Sequence, residues 1–300
     1  MIIKEEKDAL GVERMKINRI EPQGYCQGVK NALDIVNNLI KNKDDELCYS
    51  LGSIIHNEHV IKELNKKGII TIDDKNKTRL ELLNDINEGI VIFSAHGVSP
   101  IVYDKAKEKG LKIVDATCPM VKIIHKKLSN YINLGYECIY IGTKGHPECE
   151  GALGISNKIK LVTNINDISN LNIKNDKIYV TNQTTLSIYE IKDIFNTLKE
   201  KYPNIIIDDK ICNATTIRQE ALKNQPEADL TIIVGDNNSS NSKKLYEVSS
   251  KIAKRKTIFC NDISDLINYN FDGINTINIS SGASTPSYLV DEIIEYLEEK

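Results

Sequence analysis

Cys26, Cys118 and Cys212 stand 92 and 94 residues apart, and each occupies the same kind of place in the chain. A short apolar run precedes each one (MKINRI, LKIVDA, IIIDD), and each opens a helix-like segment (CQGVKNALDIVNNLI, CPMVKIIHKKLSNYI, CNATTIRQEALKNQ). Thiolates are metal ligands, and three of them without a nearby fourth suit a [4Fe-4S] cluster with one iron left open, or a three-cysteine zinc site completed by another ligand. An open iron is a Lewis acid and a redox centre, so a substrate could bind to the cluster itself. The other four cysteines, Cys48, Cys138, Cys149 and Cys260, lie in or beside strand-like runs or among acidic residues and read as small buried hydrophobes.

The histidines divide in the same way. His56, His96 and His146 fall in turns at strand ends, whereas His59 and His125 fall at helical positions. In GHPEC, His146 and Glu148 put an imidazole and a carboxyl on one turn, a set of groups suited to proton delivery. Thr184-Thr185, Ser239-Ser240-Asn241 and Ser284-Thr285 place short hydroxyl and amide donors just before helices. Each of these clusters alone reads as a helix cap. Together with the histidines they read as a phosphate-sized anion pocket, because such turns combine side-chain donors, backbone N–H groups and the helix dipole.

The elements that must position these residues recur three times. After each cysteine and its helix, a second strand ends at a glycine (Gly52, Gly142, Gly235), and a shorter strand follows (GIITIDD, IKLVTN, KTIFCND). A fourth strand then runs into a polar turn and another helix: IVIFSAHGVSP, KIYVTNQTTLS and INTINISSGASTP. Apolar strands alternating with amphipathic helices indicate βα units on parallel sheets. The chain divides into three similar α/β domains, 1–115, 116–210 and 211–285, with a C-terminal helix over 286–300 and an N-terminal extension over 1–15. In parallel sheets the ligand-binding turns gather at the carboxyl ends of the strands, so the expected arrangement is pseudo-threefold around one central metal or cluster site.

Composition sets the outer limits. With 300 residues, 41% hydrophobic and 27% charged, the chain is long enough for two or three folded domains, and disorder is excluded for most of its length. Lys+Arg 39 against Asp+Glu 42 gives a net charge of -3, without the basic excess that nucleic acid or an anionic membrane would favour. The opening MIIKEEKDALGVERMKI lacks the apolar stretch of a secretory signal, and no apolar run approaches the ~18 residues of a membrane span. The expected location is cytoplasmic, which agrees with reduced thiols: there are seven cysteines, an odd number, without a CxxC pair. Neither HExxH nor GxGxxG occurs.

Nine motifs in order, GYCQGV, SIIHNEHV, FSAHGVSP, DATCPMV, GHPECEG, NQTTLS, ICNATTIRQEA, NNSSNS and SGASTP, closely resemble the 4-hydroxy-3-methylbut-2-enyl diphosphate reductase family, from about residue 16 to the end. The resemblance implies that Cys26, Cys118 and Cys212 hold a [4Fe-4S] cluster whose apical iron takes the substrate's C4 hydroxyl. It implies proton delivery by Glu148 with Thr184, with His146 near the proton path. His56, His96, His146, Thr184, Ser239, Ser240, Asn241 and Ser284 become the substrate-binding set, most of them around the diphosphate. The implied reaction is reductive dehydroxylation to isopentenyl and dimethylallyl diphosphate, with ferredoxin or flavodoxin as electron donor. Asp236-Asn237 departs from relatives that carry a small residue followed by lysine, and Asp236 reads as facing solvent. Two other readings of the residues are an iron–sulfur or zinc sensor that binds a phosphorylated metabolite and an iron–sulfur hydro-lyase. Consumption of reductant separates both from a reductase.

Overall fold

The computed structural model describes residues 15–208 and 212–300. Almost all of the expected extension, 1–15, lies outside these residues. In chain order the elements begin with β1 (Lys16–Arg19), α1 (Gln27–Asn42), β2 (Cys48–Leu51), α2 (Glu58–Lys66), β3 (Ile69–Ile72), α3 (Arg79–Leu82), β4 (Ile90–Phe93), α4 (Pro100–Glu108) and β5 (Lys112–Asp115). They continue with α5 (Pro119–Asn133), β6 (Glu137–Ile141), α6 (Pro147–Leu153), β7 (Ile159–Val162), β8 (Ile178–Asn182), α7 (Ile188–Lys201) and β9 (Ile206–Ile207). The last are α8 (Asn213–Lys223), β10 (Leu230–Val234), α9 (Ser240–Glu247), β11 (Thr257–Cys260), β12 (Thr276–Ser281) and α10 (Ser287–Glu298).

The strands form three four-stranded parallel sheets, ordered β3-β2-β4-β5, β7-β6-β8-β9 and β11-β10-β12-β1. Each sheet has the same plan: a short edge strand, two central strands, and a fourth strand that leads directly to one of the three cysteines. Central strands such as IVIF and LTIIV are buried along their whole length. That is the mark of parallel strands covered on both faces. In the second sheet, alternate residues divide between two cores. Ile139, Ile141 and Val180 meet Ile191, Ile194 and Leu198 of α7, while Cys138, Tyr140 and Tyr179 meet Ile124 and Leu128 of α5 and Cys149 and Ala152 of α6.

One boundary differs from the sequence reading. MKINRI was expected to open the first domain, but β1 pairs with β12 in parallel, from Lys16↔Thr276 to Arg19↔Ile279. The N-terminal strand thereby supplies the fourth place of the third sheet, the place that β5 and β9 fill in the other two. Local periodicity specifies that a segment is a strand, but its partner is fixed by long-range pairing that no local pattern encodes. Two compact units result: the described residues up to Cys26 together with Ala214–Lys300, and Gln27–Asn213.

Candidate active site

Within Gln27–Asn213 the three strand-end histidines meet. Their ring centroids are 4.2 Å (His56–His96), 5.7 Å (His56–His146) and 5.6 Å (His96–His146) apart. One nitrogen from each ring lies within 4.8 Å of the others, a spacing that one metal ion or one anionic group can bridge. Burial, then the neighbouring rings and the Arg79 guanidinium, push the His96 pKa well below its usual value. Burial, with His56 and Arg79, pushes His146 down to about 3. Both rings are therefore neutral near pH 7. His146 caps α6, its Nδ1 accepting the Glu148 N–H at 3.2 Å, so the ring proton sits on Nε2 and is available to a ligand.

Two residues along, Glu148 is only 2% exposed. Its Oε1 accepts the Thr184 backbone N–H at 2.9 Å and the Tyr140 hydroxyl at 3.2 Å, and its Oε2 accepts the Thr184 hydroxyl at 2.8 Å. Burial raises the carboxyl to about 7, against the pull of these three donors. A carboxyl poised there can hold a proton and give it up at neutral pH, as a general acid must. Thr184 does not cap the helix that follows. Ser187 does so, accepting the Tyr189 N–H, and this leaves the Thr184 hydroxyl to Glu148. Thr185 accepts from the Gln183 side chain at 2.8 Å, and Gln183 in turn accepts the Thr143 N–H. Glu150 serves elsewhere, its carboxylate accepting the Arg79 backbone N–H at 2.6 Å.

In the other unit, Ser239 is the N-cap of α9, its Oγ accepting the Ser242 N–H at 3.3 Å and lying 3.4 Å from Ser284 Oγ. The cap reading therefore holds for Ser239. Ser240 opens α9 and is half-buried. Asn241 is 5% exposed, and neither its amide nitrogen nor its oxygen has a hydrogen-bond partner among the described residues. A buried amide with no partner costs roughly 1–3 kcal/mol, which a ligand in contact with it would offset. Asp236 corrects an expectation. It is 7% exposed rather than facing solvent, and its carboxylate accepts the Asn238 N–H at 2.6 Å, so it builds the turn that carries the serines.

The cysteines are held alike where their anchors are seen. The Cys118 N–H donates to Ala95 O at 3.0 Å, next to His96, and the Cys26 N–H donates to Ala283 O at 3.1 Å, next to Ser284. Cys26, Cys118 and Cys212 are half-buried, each immediately before a helix, and no disulfide joins any of the seven cysteines. Cys48, Cys138, Cys149 and Cys260 are buried, and burial pushes the thiols of Cys138 up to about 11 and of Cys149 and Cys260 up to about 12. Those four pack in the hydrophobic core.

The profile of the LytB protein family matches residues 17–298. The chain belongs to the LytB family. A relative from Lysinibacillus sphaericus (strain C3-41), named 4-hydroxy-3-methylbut-2-enyl diphosphate reductase, is 45% identical over 288 residues, covering 95% of this chain and 88% of the relative. One of the same name from Bacillus subtilis (strain 168) is also 45% identical over 288 residues, covering 95% and 91%. Among solved structures, the E-1-hydroxy-2-methyl-but-2-enyl-4-diphosphate reductase of Plasmodium falciparum superposes with a TM-score of 0.87 at 36% identity, over 94% of this chain and 88% of that one. A second, a (E)-4-hydroxy-3-methyl-but-2-enyl diphosphate reductase described as the terminal enzyme of the non-mevalonate pathway, gives 0.67 at 30% identity over 95% and 100%. Membership in the family makes the chain an enzyme of the reductase kind. No helix among the described residues is long and apolar enough to cross a membrane.

Two residues of the histidine and carboxyl cluster escape sequence reasoning. Arg79, in an ordinary-looking KTRLE, is buried, pairs with Asp73 at 3.5 Å and lies against Gly52. Gly52 has a φ of +79°, the left-handed conformation that favours glycine, and an added Cβ there would make the guanidinium shift. The available signal is the Thr78–Glu81 capping box, which fixes Arg79 as the first residue of α3. Tyr140 sits in the apolar strand ECIYI, where a buried phenol must find an acceptor.

Proposed function

We propose that the chain reduces 4-hydroxy-3-methylbut-2-enyl diphosphate to isopentenyl and dimethylallyl diphosphate, in the isoprenoid route that its relatives serve. One C–O bond breaks and one C–H bond forms; two electrons and two protons enter, and one water leaves. The observation that carries this reading is Glu148: a buried carboxyl poised near neutrality, gripped by Thr184, beside three clustered histidines, in a member of this family.

Cys26, Cys118 and Cys212 would hold a [4Fe-4S] cluster. The donor set fits: three half-buried thiols of one type, each before a helix and at the same place of its repeat, while the remaining four are buried in cores. When bound, the cluster supplies electrons one at a time and an open iron acting as a Lewis acid toward the leaving hydroxyl. The protein's residues do the rest. His56, His96, His146, Ser239, Ser240, Asn241 and Ser284 bind the diphosphate, and the anchored anion orients the allylic end. The neutral His146 offers its Nε2–H. Glu148 delivers a proton, held in place by Thr184, because cluster sulfides and thiolates have none to give. Ferredoxin or flavodoxin fits as the donor of single electrons, and the reaction proceeds in the cytoplasm.

The test is an anaerobic assay of the reconstituted protein with the diphosphate substrate and reduced viologen. Expected is consumption of reductant with formation of both product diphosphates, and a loss of turnover of at least about a hundredfold in Glu148→Gln, the low end of general acid catalysis. Substrate binding without turnover would make the chain a sensor. Loss of water without consumption of reductant would make it a hydro-lyase.

A further inference from the structure

The Glu148 carboxyl has about four lone-pair positions, two on each oxygen. On Oε1 both are taken, one by the Thr184 backbone N–H at 2.9 Å and the other by the Tyr140 hydroxyl at 3.2 Å. On Oε2 one is taken by the Thr184 hydroxyl at 2.8 Å. Among the described residues a single position remains, and it is on Oε2. We infer that Tyr140 is a positioning residue that confines the Glu148 proton to Oε2, so that the acid presents it in one direction only. The inference rests on the reading of Glu148 as the proton donor.

The surroundings of Tyr140 suit this role. Strand alternation turns Cys138 and Tyr140 toward α5 and α6, and Ile139 and Ile141 toward α7. The ring is wholly buried. It lies against the strand-end Gly142, where an added Cβ would stand 2.9 Å from Tyr140 Cε1, 3.2 Å from Cδ1 and 3.3 Å from Cys149 Sγ. Glycine at 142 therefore makes the seat for the ring, and the packed ring aims the hydroxyl. A buried phenol cannot relocate its bond to water, so its one acceptor is held firmly. Burial and the carboxylate beside it also push the phenol's pKa well above its usual value, which keeps it a donor.

Tyr140→Phe keeps the ring and removes only the hydroxyl. Oε1 then has an open position, and the proton gains a second seat that faces the core. Two measurements test this. The first is the infrared difference spectrum of the anaerobic protein without substrate, in which the C=O stretch of protonated Glu148 is identified by its loss in Glu148→Gln. With one donor fewer on the carbonyl oxygen, that band is expected at higher wavenumber in Tyr140→Phe, and a band that stays in place overturns the inference. The second is steady-state kinetics: about a tenfold lower kcat with unchanged KM, the size of one hydrogen bond to an ionisable group. In the Glu148→Gln background, Tyr140→Phe is expected to cost nothing further, since no proton remains to be placed. Equal losses in both backgrounds would show that Tyr140 acts only on the fold and would overturn the inference. A shifted band together with wild-type turnover in Glu148→Gln would leave Tyr140's hold on the proton intact and remove Glu148 from the reaction, so the two failures are distinct.

Discussion

Glu148→Gln should remove a specific slope from the pH dependence of stability. Folded, the carboxyl is 2% exposed and its pKa stands at about 7; unfolded, it returns to the ordinary 4.5. Between these values the folded protein keeps a proton that the unfolded chain has released, so stability falls as pH rises. The contribution is fully present below pH 4.5 and is lost as pH rises through about 7. At about 1.36 kcal/mol per unit, a shift of this size amounts to roughly 3 kcal/mol. Little screening applies, because the group is buried. Gln keeps the size and an accepting oxygen but does not titrate. The assay is anaerobic urea denaturation of the holoprotein and the variant at intervals from pH 4.5 to 8, read as the difference between them. Buried His96 and His146 act with the opposite sign, their depressed pKa values removing stability as pH falls, and the difference cancels them. The wild type is expected to lose about 3 kcal/mol relative to Glu148→Gln across the range. A flat difference would refute a buried carboxyl held near neutrality.

Three more outcomes are expected. Serine at Cys26, Cys118 or Cys212 should each strip most iron and sulfide from anaerobically purified protein, while serine at Cys48, Cys138, Cys149 or Cys260 leaves both; zinc without sulfide in the wild type would refute the cluster. Ser240→Ala and Asn241→Ala should raise KM by about ten- to a hundredfold, with iron content unchanged, since hydrogen bonds to a charged group contribute roughly 1.5–3 kcal/mol; an unchanged KM would remove them from the diphosphate site. Gly52→Ala should destabilise the protein by roughly 1–3 kcal/mol in urea, from the φ of +79°; wild-type stability would mean that residue 52 does not hold the left-handed conformation.

By itself the sequence determined the repeat and the residue types that stand at its turns. Cys26, Cys118 and Cys212 were legible because a βα turn on a parallel sheet leaves a local signature, an apolar run, a special residue and a helix start, and this signature recurs. GHPEC disclosed His146 and Glu148 for the same reason: the two groups share one helix start. What the tertiary structure decided was everything set by partners distant in the chain. β1 joins β12 across the chain's length because the third sheet takes its fourth strand from the N-terminus. His56, His96 and His146 come together only through packing, which takes the His96 and His146 rings from water and makes them neutral. Nothing in the sequence analysis singles out Arg79, whose guanidinium lies against Gly52, or Tyr140, whose hydroxyl meets Glu148. Asp236 reads as solvent-facing until the Asn238 N–H turns it inward. Local patterns encode backbone conformation, whereas pKa values and hydrogen-bond partners arise from burial, which only the assembled fold provides.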